Sequence, residues 1–384
     1  MPEHTFCSGE TFGFGIPKPM QLKQLYLCCS LAALLSGVSS LSAQTPKYSN
    51  EFLAIGVGAR GLGLSGAMSS IVDDATAGYW NPAGLTRAKG NIQIALMHSE
   101  YFAGIAKYDF GSFAAPIDAT RTIGVSVIRF AVDDIIDSTD LIDKDGNIDY
   151  DRLKSFSSAD YAFLFSYAQK MKIEGLRLGG NVKVVHRKVG DFAKAWGFGL
   201  DLGAQYDKGK WSFAAVGKDI TSTFNAWSYN TESLTEVFNQ TGNEIPENGL
   251  EITLPRLILG TAYKTNLAKK ITVQPSLDLD LTFDGKRNVP VKTDVLSIDP
   301  KIGLEFGYDD FIFLRAGLGN IQTVKNIDAS TSTTAQPNIG IGLRLKNVTI
   351  DYALTNIGNT SESLYSNVFS LRLNIFKQHG AAKP

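Results

Sequence analysis

Beyond residue 90, apolar and polar positions alternate with a period of two over most of the chain. That is the mark of strands whose two faces meet different surroundings. Between Ile271 and Phe283, Val273, Pro275, Leu277, Leu279, Leu281 and Phe283 share one face, and Gln274, Ser276, Asp278, Asp280 and Thr282 share the other. Ile302, Leu304, Phe306 and Tyr308 oppose Lys301, Gly303, Glu305 and Gly307 in the same way. Ile339, Ile341, Leu343 and Leu345 oppose Asn338, Gly340, Gly342, Arg344 and Lys346, while Trp196, Phe198, Leu200, Leu202 and Tyr206 oppose Gly197, Gly199, Asp201, Gly203 and Gln205. The pattern predicts about 14 strands, many of the length that crosses a bilayer at a tilt. Their spans are 90–99, 104–116, 119–131, 158–170, 175–189, 193–206, 211–220, 251–265, 270–283, 298–308, 310–320, 333–345, 347–356 and 365–376.

The connections sort by length. Those at 117–118, 171–174, 207–210, 264–269, 309 and 346 are short, and those at 132–157, 221–250, 284–297, 321–332 and 357–364 are long. Short turns at one end and long loops at the other characterise an outer-membrane barrel. A soluble sandwich or propeller shares the alternation but has no reason to segregate its loops. In hydrocarbon every backbone N–H and C=O needs a partner, so a sheet there must close on itself. The predicted fold is therefore an all-β, up-and-down antiparallel transmembrane barrel, its apolar face toward lipid. Asp201, Asp278, Asp280, Glu305 and Arg344 then line the lumen, and charges on an inner face imply a wide one. The last strand ends on Phe376, an aromatic suited to the membrane interface, ahead of a short polar tail at 377–384.

The amino terminus has a different character. Lys18 and Lys23 precede an apolar run from Leu25 to Val38, and Leu41-Ser42-Ala43 reads as a cleavage site for export. Met20 reads as the natural start, with 1–19 an upstream extension. The cysteines, Cys7, Cys28 and Cys29, all precede that cleavage site, so the mature chain is expected to carry neither disulfide nor thiolate chemistry. The formal net charge is -1, which gives no electrostatic basis for nucleic-acid binding.

Candidate chemistry is sparse. Gly56, Gly58 and Gly61 fit a G-x-G-x-x-G spacing, as do Gly61, Gly63 and Gly66, but no βαβ unit surrounds them. These glycines are read instead as allowing a segment to pack tightly beside or inside the barrel. The run from Asp143 to Asp149 resembles part of a calcium loop, yet placing Gly146 at the turn position puts Leu141 where the first ligand belongs. A solvated acidic loop is the reading, with weak calcium binding over 140–151 as the alternative. His4, His98, His186 and His379 are scattered, and no HExxH, GxSxG or Walker A sequence occurs. The reading is a non-enzyme without cofactor or bound metal.

The segment FLAIGVGARGLGLSGAMSSIVDDATAGYWNPAGL, from Phe52 to Leu85, resembles the signature of the PorV/PorQ family of outer-membrane proteins, which share the FadL fold. The resemblance rests on Gly58-Ala59-Arg60, Gly61, Gly63, Ala67, Asp73-Asp74 and Asn81-Pro82-Ala83-Gly84-Leu85. It implies 14 strands and an N-terminal hatch within the lumen, with Arg60, Asp73, Asp74, Asn81, Pro82 and Gly84 as the hatch motif. The domain organisation is then a leader over 1–43, the hatch over 44–89, the barrel over 90–376 and the tail. Read from the residues alone, Asn81-Pro82 ends a hatch helix and starts the first strand; contact with a ligand or partner is the alternative.

The resemblance also implies a role in type IX protein secretion and surface attachment, in the outer membrane of a Gram-negative, Bacteroidetes-like bacterium. Partners would be the C-terminal domains of secreted proteins or other secretion components, held by outer loops of a monomeric barrel. Loop 221–250 offers Phe224, Trp227, Tyr229 and Phe238 as contact residues. The alternative, by analogy with FadL, is a transporter of hydrophobic small molecules.

Overall fold

The computed structural model describes residues 49–376, apart from 103, 140, 142–145, 232–234, 236–243, 245–247, 326–329 and 357–364. The predicted leader, the tail and Phe238 lie outside the described residues, as does the centre of the acidic loop. The described strands are, in chain order, β1 (Ile92–Tyr101), β2 (Ala106–Pro116), β3 (Arg121–Asp137), β4 (Lys154–Lys170), β5 (Leu176–Val189), β6 (Ala193–Lys208), β7 (Trp211–Lys218), β8 (Thr223–Tyr229) and β9 (Gly249–Thr253). They continue with β10 (Arg256–Tyr263), β11 (Thr265–Ala268), β12 (Ile271–Thr282), β13 (Val291–Lys292), β14 (Ser297–Tyr308), β15 (Ile312–Lys325), β16 (Thr331–Leu345), β17 (Val348–Thr355) and β18 (Ser366–Ile375).

Every neighbouring pair is antiparallel, and β1 closes on β18 from Ile92 opposite Ile375 to Glu100 opposite Asn367. The ring runs β1 to β7, then β10, β12 and β14 to β18. It is a closed 14-stranded barrel. The short segments β8, β9, β11 and β13 extend or flank this wall.

The burial pattern is inverted relative to a soluble protein. Gln274, Ser276, Asp278 and Asp280 are buried, while Pro275 and Ile271 on the same strand are exposed. Asp201 is buried between exposed Leu200 and Leu202, and Glu305 lies beside exposed Phe306. Val125, Phe165, Val182, Phe198, Leu314 and Ile341 all face outward. Such an outer surface would be unstable in water and is what hydrocarbon requires. No helix among the described residues is long and apolar enough to cross a membrane; the strands do the crossing.

Three departures from the alternation pattern have clear causes. Strands β3, β4, β15 and β16 run farther toward the long-loop end than their apolar alternation indicates. Beyond the bilayer a hairpin can continue with polar residues on both faces, so the periodic signal fades while the hydrogen-bond ladder does not. Within 221–250, read as a loop, β8 pairs with the upper part of β6, from Ala193 opposite Tyr229 to Phe198 opposite Phe224. β7 pairs with the lower part of β6, beginning at Leu202 opposite Gly217. The break between β7 and β8 falls where Asp219 and Ser222 take positive φ. Third, the span 251–265 is divided at Leu254-Pro255, since proline has no N–H for a ladder bond.

Residues 49–91 are enclosed by the ring. They form short helical turns at Glu51–Leu53, Ala59–Gly63, Ala77–Trp80 and Pro82–Arg87. The wide lumen anticipated from the luminal charges is thus occupied by the chain itself. Two glycines show how tight the fit is. A Cβ on Gly61 would stand 2.6 Å from the Trp80 ring, and one on Gly84 would stand 2.6 Å from the Val72 carbonyl oxygen.

Candidate functional site

The candidate site is the seam between the enclosed N-terminal segment and the inner wall. A five-residue helical turn holds Arg60 with its guanidinium toward the wall. Its Nε and Nη2 donate to Glu305 Oε2 and Oε1 at 2.9 and 3.1 Å, and Nη1 donates to Asp73 at 2.6 Å. Glu305 also accepts from Arg315 at 2.7 Å, and Arg315 donates to Asp351 at 2.7 Å. Asp74 pairs with Arg372 of the last strand and accepts from the Thr76 amide at 2.9 Å, just ahead of the next turn. Burial by itself would push the Asp73 carboxyl up. The Arg60, Arg87 and Arg372 guanidiniums outweigh burial and hold it well below the usual carboxylate range.

Asp278 serves a different purpose. It accepts from the backbone N–H groups of Met68 and Ser69, at 3.1 and 2.9 Å, and from the Ser69 hydroxyl at 2.8 Å. The Met68 amide also reaches the Gly66 carbonyl, at 2.8 Å, whereas the Ser69 amide relies on the luminal carboxylate. Asn81 bridges three places. Its Nδ2 donates to the carbonyls of Ser69 and Ala204, both at 3.0 Å, and its Oδ1 accepts from the Ala83 amide at 3.1 Å. Asn81 follows the Ala77–Trp80 turn and caps the next, with Pro82 at its first position, a site where the missing N–H costs nothing. The first strand starts only at Ile92, so the Asn-Pro pair begins a helical turn rather than a strand.

The other candidates are dispersed. Asp201 pairs with Lys183 at 3.1 Å and accepts from the Asp219 amide at 2.9 Å, bracing the wall where β7 gives way to β8. Asp280 lies 3.5 Å from Arg256 and 3.4 Å from Lys301. Arg344 is not part of the central network; it sits at the short-turn end, paired with Asp310, its guanidinium 4.6 Å from the Phe313 ring centre. Phe224, Trp227 and Tyr229 belong to β8, not to a free loop. The Trp227 indole donates to Glu251 at 2.7 Å, with the Arg187 guanidinium 5.0 Å from its ring centre. In the acidic loop, Asp149 caps a turn and accepts from Arg152 at 3.1 Å. Among the described residues no cluster of potential ligands could hold a metal ion.

Several residues of the seam were not singled out from the sequence. Gln205 donates to the Ser69 and Val72 carbonyls, Asn181 to the Gly78 carbonyl at 2.7 Å, and Gln93 accepts from the Ala75 amide. All lie on inner faces of wall strands, and a buried amide there was the available signal. Toward the long-loop end the seam becomes apolar. Phe52 and Leu53 pack with Tyr79, Tyr108 and partly buried Tyr101 and Phe130. The Tyr108 and Tyr79 hydroxyls donate to the carbonyls of Phe52 and Leu53, at 3.1 and 2.6 Å.

Solved outer-membrane channels and transporters share this architecture. The CymD monoaromatic hydrocarbon channel matches with a TM-score of 0.54 at 14% identity, covering 85% of this chain and 99% of its own. The toluene transporter TodX of P. putida gives 0.53 at 16%, covering 84% and 99%. The toluene transporter TbuX of Ralstonia pickettii gives 0.52 at 15%, covering 83% and 98%. The fold is FadL-like. No protein-family model and no curated protein matches the sequence.

Proposed function

We propose that this protein is an outer-membrane channel of the FadL type, passing hydrophobic small molecules from the long-loop end to the short-turn end of its barrel. One observation carries this reading: the ring encloses its own N-terminal segment, with an aromatic layer of Phe52, Tyr79, Tyr101, Tyr108 and Phe130 on the long-loop side. An apolar solute gains by leaving water for such a layer. Farther along the seam the contacts are charge pairs and amide hydrogen bonds, so passage requires the 49–91 segment to shift. The similarity to CymD, TodX and TbuX supports the reading as a likeness of fold; site chemistry has to be tested on this chain.

The test is uptake of radiolabelled toluene and of a long-chain fatty acid by cells lacking their own hydrophobe channels, with and without this protein. Uptake several-fold above the empty host supports the proposal. Equal uptake for both probes contradicts it.

A second reading, an accessory of type IX secretion and surface attachment, draws on the resemblance of residues 52–85 to the PorV/PorQ signature. It is favoured by the β8 hairpin, which holds Trp227 and Tyr229 stacked with ring centres 6.1 Å apart. Aromatics held in place are suited to protein contacts. Stoichiometric co-purification of secreted proteins sharing a C-terminal domain, lost on replacing Trp227 and Tyr229 by Ala, would favour it over transport.

A further inference from the structure

We propose that the cavity at the short-turn end of the barrel binds a dianionic, phosphate-type group. The cavity is about 550 Å³, large enough for a small molecule or a lipid headgroup. Six of its lining residues are cationic, Arg60, Arg87, Lys89, Lys210, Lys264 and Arg344, against the anionic Asp73, Asp207, Glu305 and Asp310.

The pairing inside the cavity sharpens this imbalance. Asp73 and Glu305 are engaged by Arg60, Glu305 additionally by Arg315, and Asp310 by Arg344. Asp207 Oδ2 accepts from Arg177 and Oδ1 from the Ser212 hydroxyl, both at 2.7 Å. Arg87 therefore approaches an occupied carboxylate, at 3.6 Å. Its Nη1 is buried without a hydrogen bond, an arrangement that costs free energy until an acceptor arrives. The side chains of Lys89 and Lys264 have no hydrogen-bond or ion-pair partner among the described residues, and Lys210 meets only the Thr265 hydroxyl, at 3.1 Å, and the Tyr263 ring.

The spare donors come from three separate stretches of chain, the end of the Pro82–Arg87 turn, the β6–β7 turn and the β10–β11 junction. A planar fork and several point charges converging from different sides suit an oxyanion with several charged oxygens better than a lone carboxylate. Two sources offer that chemistry: the phosphomonoester headgroup of a phosphatidate-type lipid, and a soluble phosphate compound. The inference concerns the short-turn mouth and holds whichever cargo the seam passes.

The experiment is calorimetric titration of the full-length protein in non-ionic detergent with inorganic phosphate and, separately, with a short-chain phosphatidate. Saturable binding weakened by added salt is expected, with about a tenfold loss for Arg87→Gln, the scale of one charge-assisted hydrogen bond. The double variant Lys89→Gln/Lys264→Gln removes two exposed rim charges without touching the seam, and a several-fold loss is expected with the melting temperature unchanged. Phosphatidate binding at least tenfold tighter than phosphate supports the headgroup as the source; equal affinities support a soluble phosphate. Absence of binding by both probes overturns the proposal, as does binding unchanged in the double variant.

Discussion

Arg60 and Glu305 form a two-pronged ion pair that joins the enclosed segment to β14, and both side chains are buried. Such a pair owes its value to completeness. Removing one member leaves the other charge in a poorly solvated site, at a cost of about 3–5 kcal/mol. Glu305→Ala removes the carboxylate shared by Arg60 and Arg315, leaving two neighbouring buried guanidiniums with only Asp73 and Asp351 to balance them. The segment 49–91 should then become accessible to trypsin in folded protein, while the barrel keeps its heat-dependent shift on gels. Resistance of the segment equal to wild type would show that the pair does not hold it.

Asn81→Ala removes three hydrogen bonds and leaves the Ser69 and Ala204 carbonyls dependent on other partners. At about 1–3 kcal/mol for a buried group left unsatisfied, the loss should be visible as faster hydrogen exchange across 67–90, with β1–β7 unchanged. Gly61→Ala is expected to act through packing, since its Cβ would enter the Trp80 ring; overpacking of that kind costs about 1–3 kcal/mol. Trp80 fluorescence should report it.

The Asp73 carboxyl is held below its ordinary value, so its contribution to docking is complete above the unfolded-state pKa of about 3.9. It is lost as pH falls below that point toward the folded-state value. Segment release, measured by tryptic cleavage after brief acid exposure, should be flat from pH 7 to about 4 and rise below it. Asp73→Asn should raise the release at neutral pH and make the acid rise shallower. A rise centred near neutrality in both proteins would contradict the assignment.

The lipid-facing assignment is tested at Val125 on β3, which is exposed and flanked by buried Ser126 and Gly124. Val125→Arg should destabilise folding into vesicles by about 2–4 kcal/mol if the position lies near the bilayer midplane. Equilibrium urea unfolding in lipid measures this. A change near zero would place that face outside the hydrocarbon.

The ring was legible in the sequence because a membrane barrel needs one apolar face along the whole crossing. Thus Leu277, Leu279 and Leu281 against Asp278 and Asp280 give both strand and orientation. The alternation ends where lipid ends, which is why the polar extensions of β3, β4, β15 and β16, and all of β8, read as loops. The seam was half legible. Arg60, Asp74 and Asn81 stand out in a glycine-rich motif, but their wall partners, Glu305, Arg372 and the Ala204 carbonyl, are separated from them by distances in sequence that no local pattern spans. Arg344 shares its strand face with Asn338, yet it lies at the turn end, and alternation reports a side chain's face without its depth.

Transport through the seam requires the enclosed segment to move, and this can be tested by tethering it. Gly78 and Ser166 are well placed, since a Cβ on Gly78 would lie 3.8 Å from the Ser166 Cβ, the usual disulfide spacing of about 3.8 Å. Uptake of radiolabelled toluene should be measured in Gly78→Cys/Ser166→Cys protein, oxidised and then reduced. Uptake at background when oxidised, restored on reduction, is the predicted result. Uptake at the wild-type rate with the bridge fully formed would contradict a moving plug.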